Sequence, residues 1–255
     1  MTSGGCSNRS PAEPEDRRFA SVVFDLDGTL VDSRPGIEAS VSAALGSVAP
    51  DVGIPDIGAL LGRSLEGLIS AVGSGLTVDQ RALAHDAFVR HYDSDGWRGS
   101  APYPGVTTAL QRLRRSGIRL FVATNKRRRP TDLILAEVGL TGMLEGVYTP
   151  DSVEPAWTSK AEMAANCVRH HSLDPTRTLV VGDSRDDQEM AAANGLSFAA
   201  AAWGYGDAVS GILETGVAEA GYLRNQGQRP IQTVLESISD LALFVLPDRG
   251  AGRGL

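Results

Sequence analysis

The stretch FASVVFDLDGTLVDS, residues 19–33, sets an apolar run directly against three acids, Asp25, Asp27 and Asp32. Residues 19–24 are apolar, aromatic and β-branched and too few for a helix, so they read as a buried strand. Carboxylates add nothing to the burial of such a strand. Two of them one residue apart repel each other unless one is neutral or a cation sits among them. Gly-Thr follows at once, so the strand ends in a polar, charge-bearing turn.

Outward from this stretch the same pattern returns twice. IRLFVAT, 118–124, reads as a second buried strand and ends in Thr124-Asn125. TLVVGD, 178–183, reads as a third and runs into GDSRDD, 182–187. Helical patterns separate them. PGVTTALQRLRRSG, 104–117, has helical apolar spacing at Val106, Leu110 and Leu113, with Pro near its start and Gly at its end. PTDLILAEVG, SKAEMAANCVRHH and DDQEMAAANG also read as helices, and GVYT as a short strand. Residues 230–240 read as helical, with LALFVL after them either extending that helix or forming an edge strand.

Strands that alternate with helices of this length imply βαβ units. The expected fold class is α/β: a doubly wound, mostly parallel sheet with a smaller α-helical cap domain. Between residues 33 and 102 the alternation stops. RPGIEASVSAALGSV, IPDIGALLG, SLEGLISAVG and VDQRALAHDAFVRHYDSDG all read as helical. The expected division is therefore a core of 18–32 plus 103–245, a helical insertion at 33–102, a disordered tail at 1–17 and a flexible tail at 246–255.

The bulk numbers narrow the function classes. A formal net charge of −7 argues against a general nucleic-acid partner, which needs a basic face. No apolar run reaches the length that spans a bilayer. The first residues lack the apolar middle of a secretory signal, so a cytoplasmic location is expected. Two cysteines offer neither a disulfide framework nor a thiolate zinc site. Of 24 basic residues, 22 are Arg and two are Lys, at 126 and 160.

In an open α/β sheet ligands bind outside the carboxyl ends of the strands, where the polar residues above would converge. Asp25, Asp27, Asp183 and Asp187 make an oxygen-only cluster suited to a hard cation, with Mg²⁺ the natural candidate beside phosphate. Thr124, Asn125 and Lys160 are the donors to place around a phosphoryl group. Asp186 and Asp187 both sit where acids favour a helix start; Asp187 is preferred because it completes GDxxxD. Arg63, in LLGRSLEG, is a candidate substrate contact from the insertion, or a solvated arginine. The run Lys126–Arg129 reads as a solvated helix start, and the four histidines as structural or exposed.

In order, DLDGT after a strand, Thr124 after the next, Lys160 opening a helix, and GDSRDD resemble the four motifs of the haloacid dehalogenase superfamily. The resemblance covers roughly residues 18–245. The place of the helical insertion, with PYPGV and VATNK, is most similar to the phosphoglycolate phosphatase-like members. Ala161 stands where many relatives have Pro after the lysine. The resemblance implies a Mg²⁺-dependent phosphatase acting on a small phosphorylated metabolite through a phosphoaspartate on Asp25, with Asp27 as acid and base. It implies no nucleic-acid or membrane partner and a monomer or homodimer. Asp27 sets the chain apart from the dehalogenases of the superfamily, and the absence of lysine from 33–102 sets it apart from the phosphonate-cleaving members. A phosphomutase and a phosphate-sensing module are the alternatives.

Overall fold

The computed structural model describes residues 18–51, 53, 56–214 and 230–246. The expected tails, 1–17 and all of 246–255 except Leu246, lie outside them. The first strand, β1 (Ser21–Phe24), runs into a short strand β2 (Val31–Asp32). Three helices follow: α1 (Arg34–Val48), α2 (Leu65–Val72) and α3 (Val78–Ser94). The chain returns through β3 (Ala101–Pro102), then alternates α4 (Val106–Arg115), β4 (Arg119–Ala123), α5 (Arg128–Glu137), β5 (Gly146–Tyr148), α6 (Lys160–His170), β6 (Thr178–Gly182), α7 (Arg185–Ala193), β7 (Ser197–Ala201) and α8 (Ala208–Glu214). It closes with β8 (Gln232–Leu235) and α9 (Ile238–Val245).

Among the described residues the main sheet has six strands in the order β5-β4-β1-β6-β7-β8. Every neighbouring pair in it is parallel. The chain winds from β1 through β4 to β5, then crosses to β6 on the other side of β1. The direction of winding thus reverses at β1, and the crevice at such a reversal is where open α/β sheets bind ligands.

Period-two alternation explains why these apolar runs become central strands. Val22 and Phe24 join one core and Val23 the other. Leu120 and Val122 likewise face one layer, Phe121 and Ala123 the opposite one. A strand buried on both faces needs no polar side. Helices α4 and α9 supply Leu110, Leu113 and Leu241 to the first core. Helices α6 and α7 supply Met163, Cys167 and Met190 to the second. Each fully buried Val or Phe contributes about 1.5–3 kcal/mol, so the strands that carry the acids are anchored from both sides.

The insertion is built on α1 and α3, whose apolar faces meet through Val41, Leu45, Ala84 and Phe88. Thr77 and Gln80 close a capping box at the start of α3, and the Ser64 hydroxyl accepts from Gly67 N at the start of α2. At its base β2 and β3 pair antiparallel, Asp32 opposite Ala101.

Two local expectations fail. Of IPDIGALLG, 54–62, the described residues 56–62 form no α-helix and hold a short 3₁₀ segment, Gly58–Leu60. Gly58 and Gly62 outweigh its leucines. Residues 230–240 are not one helix but β8 followed by the start of α9. Among the described residues strand β8 is a half-buried edge strand that pairs with β7 alone, so it lacks the continuous apolar run of the central strands.

Candidate active site

Asp25 follows β1 directly and is anchored by its own N–H, which donates to Val181 O at 2.9 Å. The chain then turns tightly: Leu30 N and Val31 N both donate to Leu26 O, and Gly28 N donates to Val31 O. Gly28 sits at φ 81°, where a side chain is strained, and a Cβ there would collide with the Asp183 carboxylate. The DLDGT sequence therefore serves two ends: it presents acids, and it lets β1 and β6 bring theirs together.

Lys160, the first residue of α6, is buried between two acids. Its ammonium donates to Asp25 Oδ1 at 2.6 Å and to Asp187 Oδ1 at 2.7 Å. Asp187 lies in the first turn of α7, where its Oδ2 accepts from Ser184 Oγ at 2.5 Å and Ser184 N at 3.2 Å. Asp183 follows β6 directly; its Oδ2 accepts from Tyr205 N and Gly206 N at 3.1 and 2.9 Å. Its Oδ1 is buried with no hydrogen-bond partner among the described residues.

The electrostatics follow from this crowding. Burial, more than any neighbour, raises the Asp25 carboxyl well above its ordinary range; Lys160 opposes the rise, and Asp187, Asp183 and Asp27 add to it. Burial and then Asp187 push Asp183 up to about 7, against Lys160 and the two backbone N–H groups. Burial disfavours the charge on Lys160, yet Asp187 and Asp25 outweigh it and raise its pKa. Three carboxylates thus face one ammonium.

That imbalance is a test of metal fit. Asp25, Asp183 and Asp187 each offer a carboxylate oxygen within 4.8 Å of the others. The donors are all oxygen, and one of the carboxylates carries an orphaned buried oxygen. Such a set suits a hard divalent cation.

Asp27 stands apart from the cluster in which the sequence reading placed it. Its two carboxylate oxygens accept from Lys126 Nζ at 2.9 and 2.8 Å, and Oδ1 also accepts from Ser33 Oγ at 2.6 Å. Lys126 is buried too, with a side-chain exposure of 7%. Burial disfavours its charge, but Asp27 and Tyr92 raise its pKa. It is not the solvated helix start its neighbours suggest. Its signal in the sequence was scarcity: both lysines of the chain lie in this site.

The remaining candidates divide. Thr124 is buried at the end of β4, and its hydroxyl accepts from Lys126 N at 3.2 Å. The Asn125 amide donates to Gly62 O at 3.2 Å and to Asp186 Oδ2 at 3.0 Å, so it bridges the insertion and the core. Asp186 is exposed, while Asp187 is fully buried. Arg63 is exposed on the loop before α2. A cavity of about 70 Å³ lies between core and insertion, lined by Asp25, Asp27, Lys126 and, from the other side, Leu65, Phe88 and Tyr92. Arg63 also lines it.

Comparison with known proteins agrees with this geometry. A family model described as haloacid dehalogenase-like hydrolase matches residues 22–201. The tyrosine-protein kinase PtkA of Mycobacterium tuberculosis is 32% identical over 188 residues, 73% of this chain and 63% of that protein. The chain thus spans less than two thirds of that relative's length. A phosphoglycolate phosphatase of Cereibacter sphaeroides is 34% identical over 189 residues, 72% of this chain and 85% of that protein. The structure of a haloacid dehalogenase-like hydrolase from Streptococcus pneumoniae superimposes with a TM-score of 0.73 at 24% identity, covering 89% of this chain and 99% of that one. At that identity the likeness speaks for the fold.

Proposed function

The chain belongs to the haloacid dehalogenase-like hydrolases, and from that premise we propose that it is a Mg²⁺-dependent phosphatase acting on a small phosphate monoester through a phosphoaspartate. The observation that carries the reading is the split between the two acids that follow β1. Both line the cavity, but Asp25 is held by Lys160 in the buried cluster with Asp183 and Asp187, whereas Asp27 is held by Lys126 and Ser33. One acid has the surroundings of a group that meets a phosphate, the other those of a group that exchanges protons.

Lys160 holds Asp25 Oδ1, which leaves Oδ2 to attack phosphorus in line. As the ester P–O bond breaks, Asp27 gives its proton to the leaving oxygen. It then takes a proton from the water that attacks the phosphoaspartate, which frees phosphate and restores Asp25. Acid–base assistance of this kind is worth about 10²–10⁴-fold. In this reading the Thr124 hydroxyl donates to a phosphoryl oxygen and the Lys160 ammonium offsets its charge. Asp25, Asp183 and Asp187 would hold the Mg²⁺ ion, which when bound lets an anionic carboxylate approach an anionic phosphate. The apolar wall of Leu65, Phe88 and Tyr92 excludes water from the leaving-group side.

A panel of phosphorylated metabolites, scored for free inorganic phosphate, tests this directly. Wild type should release phosphate from at least one small monoester, and acid-quenched protein should carry a phosphoryl group on Asp25. Asp25→Asn should remove both signals while keeping the fold. Activity of Asp25→Asn within about tenfold of wild type, where loss of a covalent nucleophile normally costs far more, would rule the reading out. Transfer of the phosphoryl group to another hydroxyl without free phosphate would instead indicate a mutase, or a kinase such as the mycobacterial relative is named for.

A further inference from the structure

Lys126 has no part in the steps above, yet its setting is as specific as that of Lys160. The chain uses arginine 22 times and lysine twice. Each lysine sits on one acid of β1: Lys160 on Asp25, Lys126 on Asp27. The Lys126 ammonium spans both oxygens of its acid. On its other side it lies 4.6 Å from the centroid of the Tyr92 ring, on α3 of the insertion. The ammonium lies over the ring, so the two meet through the ring's face.

The flanking residues reach the insertion as well. Asn125 donates to Gly62 O, and the Arg127 guanidinium grips both oxygens of Asp93 at 3.1 and 2.5 Å. Three consecutive residues after β4 therefore each hold one point of the insertion, and of the three only Lys126 also holds a β1 acid. We propose that Lys126 is a positioning residue that couples closure of the insertion to the orientation of the Asp27 carboxyl group. The inference rests on the phosphatase reading, because orientation matters only if Asp27 exchanges protons with substrate and water.

The physical argument is geometric. A general acid must lie within about 2.6–3.2 Å of the atom it serves, and small misplacements cost rate steeply. A carboxylate held by a single compact ammonium can release one oxygen and keep the other. A planar guanidinium fork would hold both at once. In a chain that otherwise favours arginine, lysine at this position suits an acid that must be held and yet free one oxygen.

The test compares two esters, a nitrophenyl phosphate whose leaving group needs little protonation and an alkyl phosphate whose leaving group needs it. In Lys126→Met, kcat/KM on the alkyl ester should fall about tenfold or more, and on the nitrophenyl ester less than about threefold, because only the first needs the oriented acid. Tyr92→Leu should show the same skew in milder form. On an Asp27→Asn background Lys126→Met should add almost nothing, as expected of residues acting through one another. Equal losses on both esters, or full additivity with Asp27→Asn, overturns the coupling. The same double-mutant cycle read in Tm needs no activity: the combined loss should be clearly smaller than the sum of the single losses. If wild type turns over neither ester, the phosphatase reading falls on its own, and additive Tm losses would then overturn the Lys126–Asp27 pairing separately.

Discussion

Lys160 Nζ stands 2.6 Å from Asp25 Oδ1 and makes its second hydrogen bond to Asp187, so the proposed nucleophile shares its cation with a neighbouring acid. Both partners are almost fully buried. Taking one member from a buried pair leaves uncompensated charge and typically costs about 3–5 kcal/mol. Lys160→Met should therefore lower Tm and nearly abolish turnover. The Tm loss should be larger in chelator than in excess Mg²⁺, since a cation bound by the same acids replaces part of the missing charge. Equal losses with and without Mg²⁺ would separate Lys160 from the metal cluster.

The raised pKa values predict how the metal-free protein responds to pH. The Asp183 carboxyl titrates at about 7 in the fold, against an ordinary value of 3.8. The folded state therefore binds more protons than the unfolded state between these values. The contribution of this group is fully present below about pH 4 and is lost as pH rises through about 7. Asp25 is shifted in the same direction. Metal ligands must be deprotonated, so the gain in Tm on adding Mg²⁺ should grow from about pH 5 to about pH 8. Thermal unfolding across this range with and without Mg²⁺ gives the answer, and a gain that is flat with pH counts against the cluster as the binding site.

Gly28 makes a third expectation. Its φ of 81° disfavours any side chain, and a Cβ there would run into Asp183. Alanine at a position with positive φ costs more than the roughly 0.4–1 kcal/mol that relief of backbone entropy returns. Gly28→Ala should lose stability and should also weaken the Mg²⁺-dependent rise in Tm, because the displaced group is a proposed ligand. A variant that loses stability but keeps the full Mg²⁺ effect would show that Asp183 can be moved without consequence for metal.

The central strands were legible because each is a short, unbroken apolar run buried on both faces, as with Val22, Val23 and Phe24. Strand β8 was not. Three of its four residues are only half buried, and an edge strand of mixed polarity has no pattern to set it apart from a helix. At the site, spacing and position pointed to Asp25, Asp183, Asp187 and Lys160, and the fold gathers the three acids around the Lys160 ammonium. Spacing also suggested that Asp27 shares that cluster. Its carboxylate turns instead toward a lysine 99 positions away, a pairing that exists only once β1 and β4 lie side by side. Local reading placed Lys126 with the arginines that follow it, although its rarity in this chain set it apart.

The antiparallel pairing of Asp32 with Ala101 has a further consequence. The excursion between them departs and returns at one point of the core, its two ends held together by a ribbon of two short strands. Its length and sequence are thereby uncoupled from the register of β1 and β4, and extra residues in such a closed loop cost little entropy, about 0.6 kcal/mol per doubling of length. It is a cassette. A foreign segment spliced between residues 32 and 101 should leave the buried cluster of Asp25, Asp183 and Asp187 where it is while replacing Leu65, Phe88 and Tyr92, the wall opposite it and, with Tyr92, the contact that bears on Lys126. On the phosphatase reading, the preference for one leaving group over another can be re-engineered there while Asp25, Asp183 and Asp187 stay as they are.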